Sequence, residues 1–228
     1  MKVALVSPLK KERILKALKK FGFEVDEKNP EIVVCYGGDG TILYSERKYP
    51  SVPKLVIKYN SKIWRKYEYS SKNLEKILKK ISEGKFKIHE EIKVEARFKG
   101  KKILGLNEIQ VHNKIPTKAL KFSLVVNRKK FKGLVGDGVI ISTPFGSTAY
   151  YSSTGGKPFK KGIGISFNNL FGKKIKSFVV SENSKIKVKI EKGIGLILAD
   201  NFEKYFQIKE GEEVLVKKSK ENARFIFV

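Results

Sequence analysis

The run Ile32-Val33-Val34-Cys35-Tyr36 is apolar at every position and stops at Gly37-Gly38-Asp39-Gly40-Thr41. A strand apolar on both faces must be covered on both faces, which is the setting of a parallel sheet flanked by helices. Three glycines behind it allow positive φ and a close backbone approach as the chain turns into a helix. N–H groups exposed at such a helix start form an anion site. The flanking sequence agrees. Lys2 to Ser7 reads as a strand ending at Pro8, and Ile14, Leu15, Leu18 and Phe21 follow at helical spacing. Short apolar runs recur at Phe23 to Val25 and at Leu55-Val56-Ile57. Leu74, Ile77, Leu78 and Ile81 then give an i, i+3, i+4, i+7 helix face, opened by Ser70 or Ser71 and closed by Gly84. Strands alternating with helices predict a mainly parallel sheet.

After Lys85 the period changes. Short alternating runs dominate, such as Ile186, Val188 and Ile190 separated by lysines, with many glycines between runs. This predicts a mostly antiparallel second half built as two packed sheets. The expected organisation is an N-terminal Rossmann-like α/β domain over residues 1–86 and a C-terminal β-rich, two-sheet domain over residues 87–228.

The formal net charge of +26, from 49 basic and 23 acidic residues, favours phosphate-bearing partners. Only six of the basic residues are arginine (Arg13, Arg47, Arg65, Arg97, Arg128, Arg224) and the lysines run along the whole chain. Base reading favours arginine forks, so the pattern reads as diffuse surface charge and no specific nucleic acid is expected. The single cysteine, Cys35, excludes an internal disulfide and a zinc site of cysteines, and its apolar run makes it a buried thiol. No uncharged apolar stretch approaches the ~18 residues of a membrane span, and the N-terminal run is too short for a signal peptide. A cytoplasmic protein that does not bind membranes is expected.

No GxxxxGK[ST] run is present, which excludes a P-loop NTPase, and GxGxxG is missing after the first strand. Asp39 is informative in its place. A carboxylate among phosphate-directed amides is electrostatically unfavourable unless it handles a proton or a metal, and the rival reading is a helix-capping aspartate. A second signal runs from Gly136-Asp137-Gly138 through Val139-Ile140-Ile141-Ser142-Thr143-Pro144-Phe145-Gly146-Ser147-Thr148-Ala149-Tyr150. Here a strand delivers its end into a loop of small hydroxyl residues suited to a flat polar ring and its sugar. Tyr150 and Tyr151 offer a stacking face or a core contact, and the loop favours the first use for Tyr150. A third signal is Asn107-Glu108, two polar residues inside an apolar strand pattern, which a turn or bulge explains equally well. His89 and His112 receive no role.

Taken together, GGDGT, then NE, then GDGVIISTPFGSTAY followed by TGG, in this order, resemble the NAD kinase family over roughly residues 31–160. Lipid kinases and 6-phosphofructokinases share the GGDG turn, whereas the GSTAY segment resembles the NAD kinases. The resemblance implies phosphoryl transfer from ATP or polyphosphate to the 2′-hydroxyl of the adenosine ribose of NAD, with Mg²⁺ or another divalent cation accompanying ATP. It implies that Asp39 is the catalytic base and that Gly37, Gly38, Gly40 and Thr41 bind phosphate. Asp39, Gly40, Asn107, Glu108, Asp137, Thr148, Ala149, Tyr150, Tyr151, Ser152 and Ser153 then bind NAD, with no protein metal site, in a homodimer or homotetramer.

The chain departs from that pattern in three places, one of them the C-terminal extension that returns to the first domain, which reads as shortened with Val228 last. Lys58-Tyr59-Asn60-Ser61-Lys62-Ile63-Trp64-Arg65 replaces a glycine-rich segment in which Asn60 matches, so Lys58, Lys62, Arg65 and Lys66 are expected to meet nucleotide phosphates by charge. Asp200-Asn201-Phe202 stands for a later Asp-Gly-Gln signature. Two other readings remain: a lipid or sphingoid-base kinase docking on anionic membranes, and a basic nucleic-acid-binding protein on an inactive kinase scaffold.

Overall fold

The computed structural model describes residues 1–59, 65–172 and 174–228. The chain divides into two compact units, Met1–Glu91 together with Asn222–Val228, and Ile92–Glu221.

The first unit is built from β1 (Lys2–Val6), α1 (Glu12–Lys20), β2 (Glu24–Val25), β3 (Ile32–Tyr36), α2 (Asp39–Lys48), β4 (Lys54–Lys58), β5 (Glu68–Ser70) and α3 (Leu74–Ser82). Its strands lie in the order β5-β4-β3-β1-β2, and every pairing is parallel. β3 and β4 are buried at all five positions, as strands covered on both faces must be. Helix α3 buries the four expected residues. Helix α1 buries Ile14, Ala17 and Leu18, while Leu15 is exposed because it lies about 100° around the helix from Ile14. Cys35 is buried, and burial pushes its thiol up to about 12, which leaves it a small apolar side chain.

The second unit holds β6 (Lys87–Phe98), whose start lies in the first unit, then β7 (Lys101–Gly105), β8 (Glu108–Asn113), β9 (Leu120–Val126), β10 (Lys129–Gly136) and β11 (Gly138–Ser142). A short helix α4 (Tyr150–Ser153) precedes β12 (Ile163–Asn168), β13 (Phe178–Val180), β14 (Ile186–Lys192), β15 (Ile194–Ala199), β16 (Phe206–Lys209) and β17 (Glu213–Phe227). One antiparallel sheet runs β13-β12-β11-β8-β15-β16. The other packs β10, β9, β14 and the start of β17 antiparallel. Their inner faces share one core, with Phe122, Ile186 and Val188 from one sheet and Val111, Ile141 and Ile197 from the other.

The division falls a few residues after the expected 86/87 boundary and returns the chain end to the first unit. The physical reason is the last leg of β17. Phe225 pairs in parallel with Lys54 of β4 and stacks on Tyr67 at 4.6 Å, and Ile226 joins the core of the first unit. Alternation in a sequence identifies a strand but not the sheet it joins.

Candidate functional site

In the first unit, β1 connects toward one edge of the sheet and β3 toward the other, so the gap beyond their carboxyl ends is a topological switch point. Open α/β sheets bind ligands at such points. A cavity of about 620 Å³ lies there, lined by Ser7, Pro8 and Lys11 after β1 and by Gly38, Gly40 and Thr41 after β3. Tyr44 and Lys48 of α2 and Glu27 also line it. The turn is tied down by Gly37, whose N–H donates to the Ile57 carbonyl at 3.0 Å. A Cβ on Gly37 would stand 2.4 Å from Thr41 Oγ1, so the turn is built around the missing side chain. The first amides of α2 have no acceptor inside the helix, and the macrodipole adds positive potential where they begin. Phosphate is the ligand this arrangement suits.

Asp39 is the first residue of α2, and Gly38 is the N-cap, with no side-chain capping bond. The capping reading of Asp39 is therefore not realised. Its carboxylate Oδ1 accepts a hydrogen bond from Lys58 Nζ at the end of β4, and Arg65 Nη1 lies 3.8 Å from the same oxygen. Arg65 and Glu68 pair at 2.5 Å, and Lys58 Nζ is 3.7 Å from Glu68 Oε1. Two cations, with Glu68 as their second anion, thus accompany a carboxylate whose own side chain is 46% exposed. This corrects the expectation that Lys58 and Arg65 reach out to phosphates. The Lys58 side chain is 3% exposed and engaged by carboxylates, and Lys66 lies over the Phe227 ring at 5.1 Å. Asn60 and Lys62 lie outside the described residues.

In the second unit the NE and GDGVIISTPFGSTAY segments are locked together by backbone and side-chain hydroxyl hydrogen bonds. The Asn107 carbonyl accepts from Thr143 N at 2.9 Å and from Ser142 Oγ at 3.2 Å, and Thr143 Oγ1 donates to the Leu106 carbonyl at 2.6 Å. A Cβ on Gly146 would stand 2.2 Å from the Asn107 carbonyl oxygen. Only glycine lets the two segments approach so closely. Asp200 completes the lock. Its carboxylate accepts the N–H groups of Leu106, Asn107 and Glu108 at 2.9, 2.8 and 3.1 Å. Asp200 therefore shapes the loop that carries Asn107 and Glu108.

Around that lock the hydroxyl loop stays open. Thr148 and Ser153 are exposed, and Ala149, Tyr150 and Ser152 are half-buried. The Tyr150 hydroxyl accepts from Asn168 Nδ2 at 2.8 Å, and the same amide lies 3.1 Å from His112 Nε2. Burial, then the charge of Asp137, push the Tyr150 phenol up. Asp137 is held by Asn113 at 3.3 Å and Asn169 at 2.7 Å. Tyr151 is a correction. Its ring is 1% exposed and packs edge-on to Phe159 at 5.3 Å beneath Gly156 and Gly164, so it is a core side chain and not a ligand contact. The sequence does not single out Asn113 and Asn168, and it gives His112 no role. Their signal was faint, polar side chains on strands that are otherwise apolar.

Glu108 is 4% exposed, and its Oε2 is buried with no hydrogen-bond partner among the described residues. An acceptor left open beside a hydroxyl-lined loop fits a ligand N–H or O–H donor. Burial, then the neighbouring Asp200 charge, push the Glu108 carboxyl up to about 7 from 4.5. Between those two values the folded chain holds a proton that the unfolded chain releases, so this group's contribution falls as pH rises. The contribution is complete below pH 4.5 and is lost as pH climbs through 7, a swing of about 3 kcal/mol. Glu108→Gln is accordingly expected to melt several degrees above wild type at pH 8, with most of that difference gone at pH 5. Thermal melts at both pH values check this, and an equal difference at the two would show that Glu108 does not carry the effect.

Comparison with known proteins adds four findings. A family model described as the ATP-NAD kinase C-terminal domain matches residues 106–228. The NAD kinase of Thermoplasma volcanium is 30% identical over 217 residues, 92% of this chain and 79% of that protein. The crystal structure of an NAD kinase from Archaeoglobus fulgidus in complex with ATP superposes with a TM-score of 0.86 at 30% identity, covering 100% of this chain and 94% of the other. Yeast NADH kinase complexed with NADH shares the fold, with a TM-score of 0.85 at 16% identity over 100% of this chain and 83% of that one.

Proposed function

Because the chain belongs to the NAD kinase family, we propose that it transfers the terminal phosphoryl group of ATP to the 2′-hydroxyl of the adenosine ribose of NAD, giving NADP. The observation that carries this reading is Asp39. It is a carboxylate at the first position of a helix opening on a phosphate-suited cavity, is not used for capping, and is held by Lys58. In-line phosphoryl transfer needs little covalent help from the protein and depends on positioning and charge stabilisation. Asp39 accepts the ribose hydroxyl proton. The amides of Gly38, Asp39 and Gly40, with Lys11 and Lys48, bind donor phosphates, while the Gly37 and Thr41 amides are spent on the Ile57 and Gly38 carbonyls that hold the turn. Asn107, the open Glu108 acceptor, Thr148, Ala149, Tyr150, Ser152 and Ser153 hold the adenine and its ribose, with Asp137 toward the nicotinamide end.

A divalent cation fits this site as a companion of the nucleotide. Among the described residues no group of three or more metal-ligating side chains occurs, and Asp39 is the acidic residue in the first turn of α2. Mg²⁺ bound by one carboxylate and substrate phosphates is a common arrangement, and it would offset phosphate charge. The homodimer or homotetramer implied by the family is part of the same proposal. Among the described residues no helix is long and apolar enough to cross a membrane.

Purified chain with ATP, Mg²⁺ and NAD is expected to form NADP carrying its new phosphate at the 2′ position. Phosphate at another hydroxyl, or activity on diacylglycerol and none on NAD, would overturn the proposal.

A further inference from the structure

Asp39 begins a helix at the surface of its unit, where a two-bond carboxylate side chain has free rotamers. Its neighbours remove that freedom. Lys58 is the last residue of β4, whose backbone is fixed on one side by β3 through the Tyr36 and Ile57 pairing and on the other by β5 through the Lys58 and Ser70 pairing. The Lys58 side chain is 3% exposed, so its ammonium does not wander. It reaches Asp39 Oδ1, and its charge is balanced by Glu68, whose side chain is fully buried and is itself held by Arg65. Both cations meet the same oxygen of Asp39.

From this geometry we infer that Lys58 is a positioning residue for the catalytic base: it pins Asp39 Oδ1 so that Oδ2 is presented to the substrate hydroxyl. Glu68 and Arg65 keep the lysine in place. A pin of this kind acts on the rate more than on affinity, because a proton acceptor misplaced by about 1 Å can lose on the order of 10²-fold in turnover. Substrate affinity rests on other groups, namely the amides of the phosphate turn and the adenine loop.

The assignment rests on Asp39 being the base, so the test is a cycle of variants. Lys58→Met keeps the aliphatic stem and removes the ammonium, leaving Glu68 its Arg65 partner. It is expected to lower kcat on the order of 10²-fold, with KM for NAD and for ATP each within about threefold of wild type. In an Asp39→Asn background, the same Lys58→Met change is expected to cost less than about threefold more, because groups acting as one unit are not additive. A wild-type chain that makes no NADP fails the function proposal itself. A wild-type chain that does, with Lys58→Met within threefold of its kcat, fails only this inference. An equal loss from Lys58→Met in both backgrounds also overturns it, since Lys58 would then act independently of Asp39. Should Lys58→Met not fold, Lys58→Gln, which keeps a polar donor for Glu68, takes its place in the same cycle with the same criteria.

Discussion

Asp39→Asn is expected to lower kcat by on the order of 10² to 10⁴-fold, the range general-base catalysis supplies. The amide keeps the shape of the side chain and one oxygen acceptor but cannot take up a proton at neutral pH. Lys58 can still donate to that oxygen, and the Glu68 charge remains beside it, so the variant is expected to fold. NAD binding is expected to survive, because the groups proposed to hold the adenine and ribose lie in the other unit. Removing a negative charge near the phosphates also relieves repulsion, so the apparent affinity for ATP is expected to hold or rise slightly. Steady-state kinetics with NAD and ATP varied separately check this. More than about a tenth of wild-type turnover lies outside that range and would make Asp39 a positioning group only. A circular dichroism melt of the same preparation separates loss of chemistry from loss of fold.

The largest stability effect is expected at Glu46 and Lys54. Lys54 starts β4 with its side chain at 0% exposure, and its ammonium is paired with Glu46 of α2 and donates to the Tyr49 carbonyl at 2.8 Å. The pair fastens the helix that begins with Asp39 to the strand that ends with Lys58. Taking two charges out of water opposes their attraction, so the intact pair adds little net stability. Breaking it is different, because the Lys54 charge then stays buried without the Glu46 carboxylate that neutralises it. Glu46→Met is expected to destabilise the protein by about 3–5 kcal/mol, lowering the melting temperature by roughly 10 to 20 °C. The double variant Glu46→Met/Lys54→Met is expected to recover most of that loss, since a well-packed apolar pair of similar volume can replace a buried ion pair. A single variant that melts within about 2 °C of wild type would show that water or another group compensates Lys54. A double variant as unstable as the single one would show that packing, and not the orphaned charge, sets the cost.

Local chemistry determined much of this protein from the sequence. A strand apolar at every position, followed by GGDG, leaves few alternatives to a covered parallel strand turning into a helix with free amides. The face of α3 and the alternation in β14 follow from the periods of helix and strand alone. The long GDGVIISTPFGSTAY segment carries its own loop chemistry, and its resemblance to the NAD kinase family pointed to the right family. The tertiary structure decided which distant residues meet. Asp200 holds the amides of Leu106 to Glu108 from more than ninety positions away because β15 pairs with β8 and delivers it there. His112 reaches Asn168 because β8 and β12 flank β11 in one sheet. Tyr150 and Tyr151 are adjacent and chemically identical, yet the rotation of about 100° between neighbours on a helix sends the first to the loop surface and the second into the core. Lys58 reads in the sequence as one more lysine in a lysine-rich chain, and only the parallel pairing of β4 between β3 and β5 turns it onto Asp39. A strand's residues fix its faces, but its neighbours are set by the free energy of the whole sheet, and no local stretch of sequence contains that.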